Sequence, residues 1–262
     1  YGSIREPLDY GSGANAELTQ PGVVSGGGAM TLIVAGALTV NGTISSTAKD
    51  GMSIRGGTGG SILIRCGSLV GAGTGTITAR GSVTSVGGSF GGGNGRIAVY
   101  QTSASGWTAF TGTITAAYYS STIYSAGTVY LQDQDDTDGE GTLVIDNANR
   151  DVTYMTPLRP GVAGYDQPFG VVRVTNRGKL RLISGMTLKV TKGIEVTSNG
   201  SILNEDNAAI EFIGDEDAHF TGGSLVTLKT LKCTVPGKAI RFGTAAADKI
   251  TIAKDCTLIL KG

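Results

Sequence analysis

Five carboxylates crowd the stretch LQDQDDTDGEG, and they are the side chains of this sequence best placed for chemistry. Asp133 and Asp135 have the spacing of the first two ligands of a calcium loop, and Ca²⁺ takes a flexible shell of oxygen ligands. Thr137 then breaks the EF-hand register. We hypothesise a calcium site made by the following residues: Asp133, Asp135, Asp136, Asp138 and Glu140. A solvated loop is the alternative, for this run and for the shorter acidic run 215–217.

An enzymatic site has little to build on in this sequence. A glycoside hydrolase or a polysaccharide lyase needs paired carboxylates, or Ca²⁺ with a basic side chain. His219, the single histidine, lies among carboxylates with no nucleophile near it in sequence, and Arg65 and Arg80 are isolated. We therefore expect no enzyme. Carboxylates that converge from distant parts of the chain remain the route to a polysaccharide lyase or glycoside hydrolase.

Aromatic side chains cluster around residues 116–130. Rings of this kind stack on sugars or on a partner protein, and in a sheet they also serve as core residues. The candidates for ligand stacking are Trp107, Tyr118, Tyr119 and Tyr124.

Three cysteines are too few for a disulfide scaffold, and their spacing does not match a zinc site. Cys233 and Cys256 lie 23 residues apart, which is about one turn of the repeat described below. They could therefore stack as a disulfide or as a reduced pair. Cys66 is left over and is predicted to be a buried small apolar residue.

Composition divides the chain in two. Residues 1–131 contain 28 of the 43 glycines, whereas 15 of the 21 basic and 17 of the 21 acidic side chains follow them. The balanced charge gives no reason to expect nucleic acid as a partner, and no apolar run is long enough to span a bilayer. We predict a glycine-rich section over 1–146, an irregular connection with three prolines over 147–170, and a charged section over 171–262.

Glycines in the first section recur at a fixed step. Those that directly precede an apolar strand are at 28, 60, 95 and 127, and a second series is at 42, 75, 112 and 141. A shared period near 33 residues indicates a repeat whose units bury their apolar faces by stacking. The glycines match neither a P-loop nor a dinucleotide fingerprint. They are interpreted as corners, where positive φ or close backbone approach is needed.

The second section keeps short strands but alternates apolar with charged residues, as in Leu180-Arg181-Leu182 and Ile210-Glu211-Phe212. Alternation predicts one buried and one wet face. Ten strands are predicted between 171 and 260 at roughly ten-residue spacing, two to three to a coil of about 20–25 residues. Together the sections predict an all-β chain, a right-handed parallel β-helix without substantial helix.

The segments YGSIREPLDYGSG, GGGAMTLIVAGALTVNGTIS, GGSILIRCGSLVGAGTGTITARG and GGGNGRIAVY resemble the glycine-rich β-helix repeats of large secreted bacterial surface proteins, as do GTVYLQD and LKCTVPGKAIRFG. The resemblance implies an extended structure like that of adhesins and autotransporter passengers, secreted or on the cell surface. It implies no catalytic residue.

The function expected from these features is structural. The chain ends in an apolar strand without a polar cap, which suggests stacking end to end on another copy or on neighbouring solenoid segments. A carbohydrate-active β-helix, lyase-like or sugar-binding, is the alternative, with a polysaccharide as partner. Ice binding would need more threonine ladders than the two TIT triplets provide. Asn41 and Asn199 match the glycosylation pattern, for a host that has the machinery.

Overall fold

The structure is a computed structural model that describes residues 2–14, 25–50, 56–82, 91–104, 106–117, 124–162, 164–222, 226–243 and 251–260. For 226, 227 and 251–260 it describes the backbone. The described residues form strands and turns, with no helix among them. The predicted all-β class is confirmed, and nearly all strand pairs are parallel.

Four strands of the glycine-rich section form one parallel ladder. They are β1 (Ala29–Thr39), β3 (Ser61–Val70), β5 (Arg96–Gln101) and β7 (Thr128–Gln132). Their registers pair Ala29 with Ser61, Ser61 with Arg96, and Arg96 with Thr128, which are steps of 32, 35 and 32 residues. These are the steps of the first glycine series, so that part of the predicted repeat is confirmed.

A second, three-stranded sheet contains β2 (Thr43–Ser45), β4 (Thr76–Thr78) and β6 (Thr113–Thr115). Its registers follow the first three members of the second glycine series. The fourth predicted member behaves differently. It forms β8 (Thr142–Asp146), which leaves this sheet, pairs antiparallel with β7 and begins the charged section. A glycine before an apolar strand predicts a strand, but it does not fix which neighbour that strand joins.

The charged section continues from β8 through ten further strands. They are β9 (Thr156–Leu158), β10 (Phe169–Thr175), β11 (Lys179–Leu182), β12 (Thr187–Val196), β13 (Ser201–Asn204), β14 (Ala209–Phe212), β15 (Ala218–Gly222), β16 (Val226–Cys233), β17 (Ile240–Phe242) and β18 (Thr251–Leu260). Parallel pairing joins β8, β10, β12, β15 and β17 into one ladder and β9, β11, β13, β16 and β18 into a second. The two ends of β12 serve different ladders, since its first half pairs with β14 and, through it, with β16.

The commonest step of these ladders is 22 residues, as in Thr187 with Ala209 and Lys179 with Ser201. It falls within the range expected from the alternating strands. β15 was not among the strands expected from the sequence. The segment 147–170, predicted to be irregular, contains β9. Pro157 is compatible with this strand because β9 pairs only with β11 among the described residues, so its other edge needs no N–H donor.

Two apolar cores lie on opposite faces of one continuous sheet. Ile64 and Val99 belong to the core of the glycine-rich section, whereas Ala98, Tyr130 and Leu143 belong to the core of the charged section. The registers place Ala98 beside Tyr130 and Tyr130 beside Leu143, so the second core continues across the back of the first ladder. Strands such as β3 and β5 are therefore buried on both faces, which explains their continuous apolar sequences.

The periodic glycines permit close backbone stacking. A Cβ at Gly60 would overlap the carbonyl oxygen of Gly28, one at Gly95 that of Gly60, and one at Gly127 that of Gly95. The same carbonyl groups accept hydrogen bonds from the residue after each glycine, for example Arg96 N–H to Gly60 O at 3.0 Å. None of these glycines has positive φ. Close approach, rather than a left-handed turn, is what requires glycine here.

The charges of the second section pair from coil to coil on its outer face. Arg173 Nε lies 2.6 Å from Glu195 Oε2, Lys179 Nζ lies 2.9 Å from Asp151 Oδ1, and Arg241 Nη2 lies 2.8 Å from Asp217 Oδ2. Each pair joins residues that are 22 to 28 positions apart in the sequence. The alternating charges therefore complement the stacking of neighbouring coils.

Candidate functional site

A groove of about 470 Å³ lies where the two sections meet. Its walls come from four stretches that stack side by side, namely 58–61, 93–96, 125–128 and 156–159, and from both ends of a much longer loop in sequence terms. Asp9 and Tyr10 close one side, and Val162 and Tyr165 lie on another. The groove therefore collects side chains from coils that are far apart in the sequence.

Hydrogen bonds fix the groove walls. Ser61 Oγ donates to the carbonyl oxygen of Asp9 at 2.6 Å, which holds the N-terminal segment against β3. Thr156 Oγ1 donates to Ala126 O at 2.6 Å and joins β9 to the start of β7. Asn94 Nδ2 donates to Ser125 O at 2.8 Å, while its Oδ1 accepts from Gly81 N at 3.0 Å. The walls are thus supported by groups that are already satisfied.

Four side chains in the groove can interact with a ligand. Arg96 Nη2 donates to the Tyr165 hydroxyl at 3.1 Å, which leaves most of its five N–H groups for other partners. Arg159 and Asp9 are exposed, and the Tyr10 ring is 74% exposed at the rim. Two guanidinium groups, one carboxylate and an aromatic face suit a ligand that carries an anionic group and hydroxyl groups.

Arg5 is buried beside this site, with 5% of its surface exposed. Its guanidinium donates to carbonyl oxygens of Gly139 at 3.0 Å, of Pro168 at 2.7 Å and also of Gly164. The Phe169 ring lies 4.1 Å from its Cζ. One side chain therefore attaches the N-terminal segment to both ends of the loop 139–168. No feature of the sequence around Arg5 indicates this role, because its partners are backbone groups more than 130 residues away.

The same buried region shifts two tyrosines. Burial raises the pKa of Tyr100 far above its usual value, and the neighbouring Tyr130 adds to the effect. Burial likewise raises the pKa of Tyr130, although the Gly141 N–H opposes the shift. Both hydroxyls act as neutral hydrogen-bonding groups: Tyr100 donates to Arg5 O at 2.9 Å, and Tyr130 accepts from Gly141 N at 2.9 Å.

The carboxylates of the predicted calcium loop have partners within the protein. Asp133 accepts from the N–H groups of Gly106 and Asp135, at 2.6 and 3.0 Å. Asp136 lies 2.8 Å from Lys192 Nζ, and this hydrogen bond raises the pKa of the lysine. Asp138 accepts from Gln132 at 3.3 Å and Glu140 from Thr191 at 3.1 Å. Within the ranges that the structure describes, no three or more His, Cys, Asp or Glu side chains are grouped to hold a metal ion.

The predicted stacking aromatics do not gather in one place. Trp107 is half-buried against the core of the glycine-rich section. The Tyr124 ring lies against Gly91, where it leaves no room for a Cβ, and burial raises its pKa. Tyr118 and Tyr119 lie outside the described residues. The aromatic residues at the groove, Tyr10 and Tyr165, were not among the candidates.

Cys233 and Cys256 are not opposite each other. The register pairs Cys233 with Leu260, and Cys256 precedes Thr257, which pairs with Thr230. Four residues along a strand separate them by about 13 Å, whereas a disulfide needs Cα atoms within about 7 Å. The expected stacking of this pair is therefore not found, because a bulge before Thr230 shifts the register. Cys66 is buried as predicted, and burial raises its pKa to about 11.

His219 and the sequon asparagines occupy surface positions. The His219 ring lies over Gly193, where a Cβ would overlap it, and Nε2 lies 3.6 Å from Glu195 Oε1. Glu195 also pairs with Arg173, so the histidine is part of an outer ion-pair row. Asn41 and Asn199 are exposed in turns, and Asp217 is paired with Arg241.

Comparison with known proteins finds no matching family model, no matching curated protein and no matching solved structure. In the part of the chain that the structure describes, no helix has the length and apolar character to cross a membrane.

Proposed function

We propose that this protein is a structural β-solenoid, an extracellular surface or fibre element without enzymatic activity. Its two sections are right-handed parallel β-helices of different coil size. The support is the stacking of the coils, since main-chain hydrogen bonds join each coil to the next from β1 through β16 and beyond. Such a stack resists bending and extends in one direction, which suits reach and attachment.

The single observation that carries the proposal is the glycine pattern of the first coil. Gly75 and Gly112 lack side chains because a Cβ would overlap Val40 O and Gly75 O in the preceding coil. Gly42 occupies the equivalent register position, as does Gly28 in the other series, yet a Cβ at either would meet no described atom within 4 Å. Both are suited to the close approach of one more backbone.

The β1 strand is open to such a neighbour. Among the described residues it pairs with β3 alone, and its core-facing Leu32 and Val34 are only partly buried. Ile33 is 77% exposed. An eleven-residue strand with free N–H and C=O groups along one edge is a template for pairing with another chain. We propose a second copy of this chain as the occupant, so that copies associate end to end.

The test is the particle length of the purified protein as a function of concentration, measured by light scattering and negative-stain electron microscopy. The Ile33→Lys variant should stay a single rod, because the added charge opposes strand pairing at this edge. Tyr154→Lys, a change of the same kind at a distant exposed apolar residue, should assemble like the wild type. Wild-type rods of one length at every concentration would refute self-association.

The acidic loop adds a second arm to this experiment. If Ca²⁺ occupies the loop 133–140, a chelator should shorten the particles or lower their melting temperature. The ion pair between Asp136 and Lys192 and the other local contacts favour a loop that is stable without the ion. Unchanged particles after chelation would remove calcium from the proposal and leave the coil stacking intact.

A further inference from the structure

We propose that the groove between the two sections binds an acidic oligosaccharide, a sugar chain that carries carboxylate groups. This site goes beyond the structural role and does not depend on self-association. The chain contributes a binding surface midway along the rod, where the direction of the strands reverses between β7 and β8.

The first argument is the state of the two arginines in the groove. Arg173, Arg181 and Arg241 each pair with a carboxylate of a neighbouring coil. Arg159 makes no hydrogen bond or ion pair with any described residue, and Arg96 makes one hydrogen bond, to a neutral hydroxyl. Both line the same cavity. Guanidinium groups bind carboxylates through two parallel hydrogen bonds, so these positions suit an acidic ligand.

The second argument is the company these arginines keep. Asp9 offers a carboxylate at the rim, which can accept hydrogen bonds from sugar hydroxyl groups. Tyr10 presents an exposed ring beside it, and an aromatic face is a common surface for a sugar ring. Few side chains in the lining are apolar beyond the small Ala126, Pro157 and Val162. A peptide that relies on large apolar anchors finds no matching pocket here.

The third argument is the shape of the site. A volume of about 470 Å³ is within the range of ligand pockets. Gly93 lines the groove, and a Cβ at this position would meet no described atom within 4 Å. In contrast, Gly95 in the same wall is required by the backbone of the preceding coil. Gly93 thus leaves room in the groove that packing does not demand.

The experiment is isothermal titration calorimetry with tetragalacturonate and, as the neutral counterpart, maltotetraose. Tetragalacturonate should bind, and added salt should weaken its binding. Arg159→Gln should weaken it by about tenfold or more, because a charge-assisted hydrogen-bonded pair is lost. Gly93→Leu should block binding by filling the groove. Arg173→Gln removes an arginine from the distant outer face and should leave binding unchanged.

All proteins in this comparison carry Ile33→Lys, so that self-association cannot alter the result, and each is checked for an unchanged melting temperature. Equal binding of maltotetraose, or tetragalacturonate binding that survives Arg159→Gln and Gly93→Leu, would overturn the proposal. Absence of binding to the well-folded protein would overturn it as well, and so would a preference for acidic peptides. None of these outcomes bears on the end-to-end association, which is read from particle length.

Discussion

Replacing Arg5 with alanine should destabilise the whole chain far more than its position near the N-terminus suggests. The guanidinium donates to four carbonyl groups and packs over Phe169. Hydrogen bonds from a charged donor contribute about 1.5–3 kcal/mol each, and a desolvated cation over a ring adds about 2 kcal/mol. These terms are not additive, and breaking a buried charged network typically costs about 3–5 kcal/mol. The loss is a large share of the roughly 5–15 kcal/mol that keeps a domain folded.

Urea unfolding followed by circular dichroism measures this loss. With a slope of about 2–3 kcal/mol per molar urea, a loss of about 4 kcal/mol lowers the midpoint by roughly 1.5–2 M. Arg5→Lys should fall between the wild type and Arg5→Ala, because an ammonium group keeps the charge but cannot reach the carbonyl groups as a fork. Arg65→Ala is the matched control: Arg65 also packs over a tyrosine and pairs with Glu6, but it is exposed. Equal midpoints for Arg5→Ala and Arg65→Ala would refute the clamp.

Three further predictions concern the coils themselves. Asn204→Leu should stabilise the protein by about 1–3 kcal/mol, since both amide atoms of this buried side chain lack hydrogen-bond partners beside the buried Leu182; a lower melting temperature would show that the amide has a partner. Gly95→Ala should cost at least about 2 kcal/mol because its Cβ would overlap the preceding coil, whereas Gly93→Ala should be nearly neutral, and similar melting temperatures for the two would contradict the stacking argument. The pKa of Glu205 is lowered by the Ser184 N–H and then by Arg181, so its contribution is present above its unfolded pKa of about 4.3 and is lost as the pH falls through the lower folded pKa; the urea midpoint should therefore drop below about pH 4, and less so in Glu205→Gln.

The repeat could be predicted because its cause is local. A glycine is required wherever the carbonyl of the preceding coil approaches, so the spacing of Gly60, Gly95 and Gly127 in the sequence is the length of the coil. The alternation in β11 and β14 likewise reports one wet and one buried face. These signals lie within a few residues of the strands that they describe.

The reversal at β7 and β8 and the groove could not be predicted in this way. Pairing direction depends on which strand edge is free when β8 arrives, and nothing within Thr142–Asp146 encodes it. The groove joins Asp9 to residues near Arg159, and a search along the sequence for clustered chemistry found the acidic loop instead. The stacking aromatics were sought in the tyrosine-rich run for the same reason, whereas Tyr10 reaches the groove from the other end of the chain.

The antiparallel junction also determines the sense in which the two sections wind. Crossing from β7 to β8 reverses the direction of the strands, and the enclosed core moves from one face of the sheet to the other. Either change alone would mirror the path of the chain. Because both occur at the same step, they cancel, and the two sections turn about the rod in the same sense. The protein can therefore change its coil length from about 33 to about 22 residues while remaining a single screw of one hand.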